Sequence, residues 1–439
     1  MPNQAAIGKY RWTICALIFF ATTVNYLDRT VISFLKPYLA EAFHWSPVDE
    51  VANYANMEMA FKLSYAIGFL FAGRIIDKLG TKIGYALATG LWSIAAMLHA
   101  FASGTLSFAA ARVFLGLTEA GNFPAAIKAT AEWFPKKERA LATGVFNSGS
   151  NIGAILVPIT IPYIAETFGW QGAFIITGAV GFIWLILWFI FYEIPSKQKR
   201  LSEAELNYIT KTDLDEAGDS AELGPKLSWA KLLTFKQTWA FAIGKFLTDP
   251  IWWFYIFWLP DFLRKEYHLD KYDIIWPAAL PFVIASFGSV LGGWLPMKLI
   301  NSGWATFRAR KTSMLIYAFC VIPIVFAQYL GTIDMWLAIC VIGFAMAAHQ
   351  AWSANIFTTV SDMFPKNSTA SVTGIGGLAG GVGGLLLTFL VQKRMFIYYE
   401  SIGQIKTGYF IMFLICGGAY ILGWLIMHYL VPKMKRVEV

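Results

Sequence analysis

A chain of 439 residues that is 57% hydrophobic, only 14% charged and of mean hydropathy +0.55 excludes a water-soluble domain and describes a protein made to cross a bilayer. Its net charge of +8 would suggest a nucleic-acid partner in a soluble protein; here the basic residues fall where membrane topology puts them, and no nucleic acid is expected. The four cysteines, Cys15, Cys320, Cys340 and Cys416, stand singly, without metal-ligand spacing or a disulfide framework. No nucleophile-and-base arrangement, phosphate loop or metal cluster suggests an enzyme, and no cofactor is expected.

Twelve apolar segments of about 20 residues, the length a helix needs to span the hydrocarbon core, fall at 12–34, 52–73, 82–102, 106–130, 139–165, 171–192, 237–260, 273–297, 311–329, 334–360, 368–391 and 405–431. The expected fold class is therefore an all-α membrane protein of twelve transmembrane helices. The first segment is too long for a signal peptide and lacks a small-residue cleavage site, so it is expected to stay as a helix. With the N-terminus inside, about 24 of the 35 Lys and Arg residues lie on cytoplasmic loops and ends, about 7 outside and about 4 within spans. Both termini are expected in the cytoplasm, and the chain in the cytoplasmic (inner) membrane.

In the first span, Asn25-Tyr26-Leu27-Asp28-Arg29 puts two charges deep in an apolar helix. Each costs roughly 2.5 to 3.5 kcal/mol or more at mid-membrane, so the pair implies partners or a watery cavity. Further buried charges come at helical spacings: Glu58 with Lys62, Arg112 with Glu119, and Lys245 with Asp249. Each pair shares a helix face and reads either as an internal salt bridge or as part of a site.

Residues 193–236 carry seven Lys or Arg and eight Asp or Glu, with a short surface helix expected near 201–211. They divide the chain into halves, 1–192 and 237–439. Sliding the sequence by 230 positions lays Glu132-Trp133-Phe134-Pro135-Lys136 on Asp362-Met363-Phe364-Pro365-Lys366, with Ala140, Thr143, Gly144 and Gly153 on Ala370, Thr373, Gly374 and Gly383. Two parallel six-helix halves binding at their midplane interface are the architecture of an alternating-access transporter. The same shift lays Glu119 on His349. With Gln350 and Trp352, and with Asp249-Pro250-Ile251-Trp252-Trp253 in the seventh span, His349 suits hydroxyl groups and the apolar face of a sugar.

Two features concern motion. The run from Gly73 to Lys82 makes a glycine-permitted turn that displays Asp77 among cations. Seven glycines between 374 and 384 allow very close helix contact, in a gate or in static packing.

The chain resembles the major facilitator superfamily over nearly its whole length, Gly73 to Lys82 matching that superfamily's signature with Asp77 in the place of its gating carboxylate. Within it, Asn25 to Arg29, Gly116-Leu117-Thr118-Glu119-Ala120 with Phe123-Pro124, and Trp133-Phe134-Pro135 with Glu138-Arg139-Ala140 resemble the anion:cation symporter family. Gly80-Thr81-Lys82-Ile83-Gly84-Tyr85, Phe246-Leu247 before Asp249-Pro250, and Ala348-His349-Gln350 are similar to the hexuronate transporters. In the second half, Gly292-Gly293-Trp294-Leu295-Pro296 stands where the signature repeats, with Met297 in place of its acid.

The resemblance implies that Arg29 binds a substrate carboxylate, that Tyr26, Tyr65 and Trp352 line the pocket, and that Asp28 and Glu119 take up protons with Arg112 restraining the second. It places Asn147 and Ser150 beside the site and gives Asp77 and Arg139 gating roles. Lys245, Trp252, His349 and Gln350 complete the expected substrate-binding set. A substrate-contacting Gln of the galactonate branch is Ser150 here, and an Asn of its eleventh helix is Gly377, which disfavours galactonate. Ionised, Asp28 would compete for the Arg29 fork; protonated, it would free that fork for an anion. The expectation is a proton-driven importer of hexuronates, such as glucuronate or galacturonate, working as a monomer without cofactor; sodium could replace protons. Alternatives are a carrier of aldonates, tartrate-like acids or sugar phosphates, or a transporter-like receptor.

Overall fold

The computed structural model describes residues 8–134, 136–215, 227–269, 272–364, 366–433 and 437. Among them there is no β-strand. In chain order the helices are α1 (Tyr10–Ala42), α2 (Pro47–Leu79), α3 (Thr81–Leu98), α4 (Thr105–Glu119), α5 (Asn122–Trp133), α6 (Lys136–Phe191), α7 (Glu203–Asp215) and α8 (Trp229–Leu232). They continue as α9 (Lys236–Tyr267), α10 (Ile275–Asn301), α11 (Thr306–Val321), α12 (Ala327–Ile333), α13 (Met335–Met363), α14 (Lys366–Leu386), α15 (Arg394–Ser401) and α16 (Ile405–Leu430). All twelve expected segments fall on helix, and α6 holds two of them, bent at Gly169 (φ 72°).

Local chemistry sets the boundaries. Ser46 caps α2 by accepting from the Asp49 N–H at 3.2 Å, Pro47 takes the first helical position, and Gly80 ends the helix at φ 78°, a conformation that favours glycine. Asp334 caps α13 by accepting from the Trp336 N–H at 2.7 Å.

The sequence repeat reappears as geometry. α5 ends at Phe134 with φ −122°, ψ 133° and an N–H donated to Thr130 O; α13 ends at Phe364 with φ −115°, ψ 152° and an N–H donated to Val360 O. Both endings lie 230 positions apart, and α6 and α14 restart at Lys136 and Lys366.

One expectation changes. The fourth span is not one helix but breaks after Glu119, because Pro124 has no N–H to offer the carbonyl of Ala120. In the second half, residues 292–297 lie inside α10, as residues 73–79 lie inside α2, and α10 runs on to Asn301 before turning at Gly303 (φ 89°).

Among the described residues, eight helices are long and apolar enough to cross a membrane on length and composition alone. They contain nine of the twelve expected spans. The three left out, 52–73, 106–130 and 237–260, are the ones that carry Glu58 and Lys62, Arg112 and Glu119, and Lys245 and Asp249.

Small residues let the helices meet. A Cβ on Gly153 would stand 2.5 Å from Thr23 O and one on Gly288 2.2 Å from Ala347 O, so α6 lies directly on α1, and α10 on α13. The glycine stripe of α14 serves two neighbours: Gly376, Gly380 and Gly383 face Phe241, Asp249 and Phe246 of α9, while Gly377, Gly381 and Gly384 face Phe69, Ala66 and Lys62 of α2.

Bonds between the halves gather at the end of the bundle away from the termini, called the outer end below. Lys36 of α1 meets Asp261 of α9 at 2.6 Å, and Arg264 donates to the carbonyls of Ser33 and Phe34. Tyr54 donates to Phe257 O at 2.6 Å, and Lys393 to Asn56 at 2.7 Å. At the other end the linker helix α7 is fastened to α1. Glu205 accepts from the backbone N–H groups of Tyr10 and Arg11 and from the Arg11 guanidinium at 2.9 to 3.1 Å.

Candidate functional site

Arg29 sits at the centre of the first half. Its Nε donates to Glu119 Oε2 at 2.9 Å and Nη2 to Asn25 Oδ1 at 3.1 Å. The guanidinium lies 4.6 Å from the Tyr26 ring centroid and 4.7 Å from that of Tyr65, so the two expected tyrosines flank the expected arginine. Glu119 is the last residue of α4, fully buried at the helix break, and its Oε1 has no hydrogen-bond partner. The break brings the carboxylate of α4 to the fork of α1.

Two expected pairings are rearranged. Asp28 does not share the Arg29 fork: successive helical residues point about 100° apart, and neither Asp28 oxygen has a hydrogen-bond partner although the residue is 1% exposed. Arg112 does not hold Glu119 either. The two form no hydrogen bond, and all three Arg112 guanidinium nitrogens lack hydrogen-bond partners. Glu119 is held by Arg29 instead.

The other intrahelical pairs form as expected. Lys62 binds Glu58 and donates to Thr388 Oγ1 at 2.9 Å, and Glu58 also accepts from Trp258 Nε1 at 2.5 Å. Thr388 lies on a π-helical turn, Leu387–Lys393, between α14 and α15. Lys245 and Asp249 pair at 2.8 Å.

In the second half His349 stacks on Trp252, centroids 5.0 Å apart and 5° between planes, with Nδ1 2.5 Å from the Tyr420 hydroxyl. Like Glu119, it contacts the first helix of its own half. Gln350 Nε2 donates to Asn151 Oδ1 at 3.0 Å, linking the halves at mid-depth. Ser150 is buried and donates to Asn147 O at 2.7 Å.

Trp352 is 0% exposed and packs edge-on against Tyr420. It stands three residues beyond His349, about one turn along the same face of α13, and both side chains meet Tyr420. The side chains of Asp77 and Arg139, the two expected gating residues, lie outside the described residues. Sequence reasoning passed over Asn25, Phe61, Asn151 and Tyr420; mid-span polar residues were the available signal for the two asparagines, while the two aromatics were lost among many. Among the described residues no group of His, Cys, Asp and Glu could hold a metal.

A helical membrane carrier with a core of buried charges is the class of protein that this arrangement defines. The Major Facilitator Superfamily model matches residues 18–388. The chain is 34% identical to the hexuronate transporter of Escherichia coli (strain K12) over 88% of each protein. It is 37% identical to the galacturonate transporter of Dickeya chrysanthemi, over 66% of this chain and 83% of that one. Its fold is similar to the crystal structure of a D-xylose-proton symporter, with a TM-score of 0.74, 15% identity and coverage of 98% of this chain and 100% of that one. The chain belongs to the major facilitator superfamily. It is a multi-pass membrane transporter, not an enzyme, related to hexuronate and other sugar-acid transporters.

Proposed function

We propose that the protein is a proton-driven symporter that imports hexuronates, such as glucuronate or galacturonate, across the cytoplasmic membrane by alternating access. Both termini are cytoplasmic, and the single chain is the working unit, its halves 1–192 and 237–439 rocking about the linker 193–236. Arg29 carries the reading: a permanently charged planar fork at mid-membrane, flanked by Tyr26 and Tyr65 and ion-paired to Glu119. Ionised, Glu119 occupies the fork; protonated, it releases the fork to a substrate carboxylate. Proton and anion then favour each other's binding, which is coupling in its simplest form.

Charge balance supports this mechanism. Arg29, Lys62, Arg112 and Lys245 are matched by Asp28, Glu58, Glu119 and Asp249, so a monoanion entering alone would leave the core with an excess negative charge that a proton removes. Protons on both Asp28 and Glu119 would carry net positive charge inward, gaining about 2.3 kcal/mol per 100 mV. Lys245 is already neutralised by Asp249 at 2.8 Å, which supports a substrate with one carboxylate over a dicarboxylate or a sugar phosphate. His349, Gln350 and Asn151 offer donors and acceptors to hydroxyl groups, and Trp252 and Trp253 offer ring faces. The named activities of the relatives support the substrate class. Asp77 and Arg139 take their gating roles from the resemblance alone.

The test is uptake of labelled glucuronate into proteoliposomes under an imposed inward proton gradient, without sodium. Accumulation above the external concentration is expected. Binding without uptake would make the protein a receptor, and neither would overturn the substrate class.

A further inference from the structure

Three aromatic rings from the two halves meet on the outer side of Arg29. Phe61 of α2 and Trp253 and Phe257 of α9 form a triangle with centroids 6.1, 6.3 and 6.1 Å apart. Three cations clasp it in a closed cycle. Arg29 lies over Phe61 and Trp253 at 5.4 and 5.9 Å, and Lys62 over Trp253 and Phe257 at 5.2 and 5.6 Å. Arg112 lies over Phe257 and Phe61 at 5.9 and 4.4 Å. Each cation therefore touches two rings, and each ring two cations.

The burial pattern gives the triangle a direction. Phe61 and Phe257 are closed off at 0% and 1% exposure, while Trp253 is half-buried and Tyr65 packs against both Phe61 and Trp253 from the Arg29 side. On the other side stand the Glu58–Lys62 pair, Trp258 and the bond from Tyr54 to Phe257 O. Arg112, buried and without a hydrogen-bond partner, has the faces of Phe61 and Phe257 as its compensation for lost water.

We infer that Phe61, Trp253 and Phe257 form the outer gate above the substrate site, and that Arg29, Lys62 and Arg112 fasten it. The gate joins the halves, since Phe61 comes from one and the other two rings from the other, so it must part when the halves rock. Arg29 belongs both to the gate and to the site. A change in what its fork holds is therefore felt by two of the three rings. The inference rests on the transport reading for the identity of the site, and Phe257 is the positioning residue it adds.

The test compares the full-length protein with Phe257→Leu, Phe61→Leu and Phe257→Tyr in proteoliposomes, following the discharge of an imposed proton gradient with no substrate present. Glucuronate binding to the solubilised proteins is measured beside it. Loss of a ring face and its two cation contacts is expected to speed discharge at least about fivefold in both Leu variants. Phe257→Tyr, which keeps the face, should hold the gradient as the parent does. Phe61→Leu opens the triangle from the other half and serves if Phe257→Leu does not fold. A Leu variant that folds and holds the gradient, or a Tyr variant that leaks as fast as Leu, overturns the gate. A parent that binds no sugar acid overturns the proposed substrate and leaves the leak comparison to decide the gate.

Discussion

Arg29 and Glu119 stand ninety residues apart in the chain and 2.9 Å apart in space, while Asp28, the immediate neighbour of Arg29, is hydrogen-bonded to neither. The ion pair puts the candidate anion site and the candidate proton site in direct contact. Protonation at one is then an event at the other.

Replacing Glu119 by Gln removes the ionisable group while keeping its size. Uphill accumulation driven by protons should fall to the equilibrium level, whereas exchange of labelled for unlabelled glucuronate should continue, because the uncharged amide no longer competes as an anion for Arg29. The loss of both activities together would show that Glu119 serves the architecture and not the coupling.

Arg29→Lys keeps the charge and removes the planar fork, along with its stacking between Tyr26 and Tyr65. Glucuronate affinity should drop by about 10- to 100-fold, the difference between a bidentate and a single charged contact. Calorimetric titration of the solubilised protein measures it. Unchanged affinity would move the carboxylate to another cation.

Lys36 and Asp261 each lie six residues before the end of the first helix of their half, Ala42 and Tyr267, and they pair with both side chains buried. Asp261 also accepts from the Tyr409 hydroxyl, and Lys36 lies 3.3 Å from Glu50. Removing one partner strands a buried charge, at a cost of about 3 to 5 kcal/mol to the outer-closed form. Lys36→Met and Asp261→Leu should each lower the thermal unfolding midpoint, and the double variant should recover most of the loss. Additive losses would mean that the two charges do not act as a pair.

At Gly153, an added methyl meets the backbone of α1 at 2.5 Å, with Tyr26 Cβ 2.8 Å away. Gly153→Ala should therefore displace α1 beside the site, lowering the unfolding midpoint and weakening glucuronate binding together. Gly144→Ala is the control, since a Cβ there meets nothing within 4 Å.

Much of this was legible in the chain. Hydropathy marks spans because a helix satisfies its own backbone in lipid. Even the three helices that fail a purely apolar criterion were legible as apolar segments of about 20 residues, despite the charges inside them. The 230-residue repeat was visible as Trp133-Phe134-Pro135 against Met363-Phe364-Pro365, because a proline-ended helix is a local instruction. Intrahelical pairs were equally readable: Glu58 with Lys62 and Lys245 with Asp249 depend on spacing along one helix and nothing else.

What joins different helices was not. Pairing Glu119 with Arg112 followed the same intrahelical logic and failed, because α4 breaks and delivers the carboxylate to α1 instead. Asp28 beside Arg29 suggested competition that helical geometry prevents. That His349 and Trp352 both meet Tyr420 of α16 was not legible, since α13's rotation relative to its neighbours is set by packing and not by its own sequence. The sequence by itself determined the class, the spans, the repeat and the pairs of charges within single helices, all of which follow from hydropathy, local propensity and spacing. Only the tertiary structure decided which charge holds which, and that three cations from α1, α2 and α4 close around rings from α2 and α9. Those contacts depend on how helices distant in the chain rotate and bend against one another, and no periodicity within a single helix encodes that.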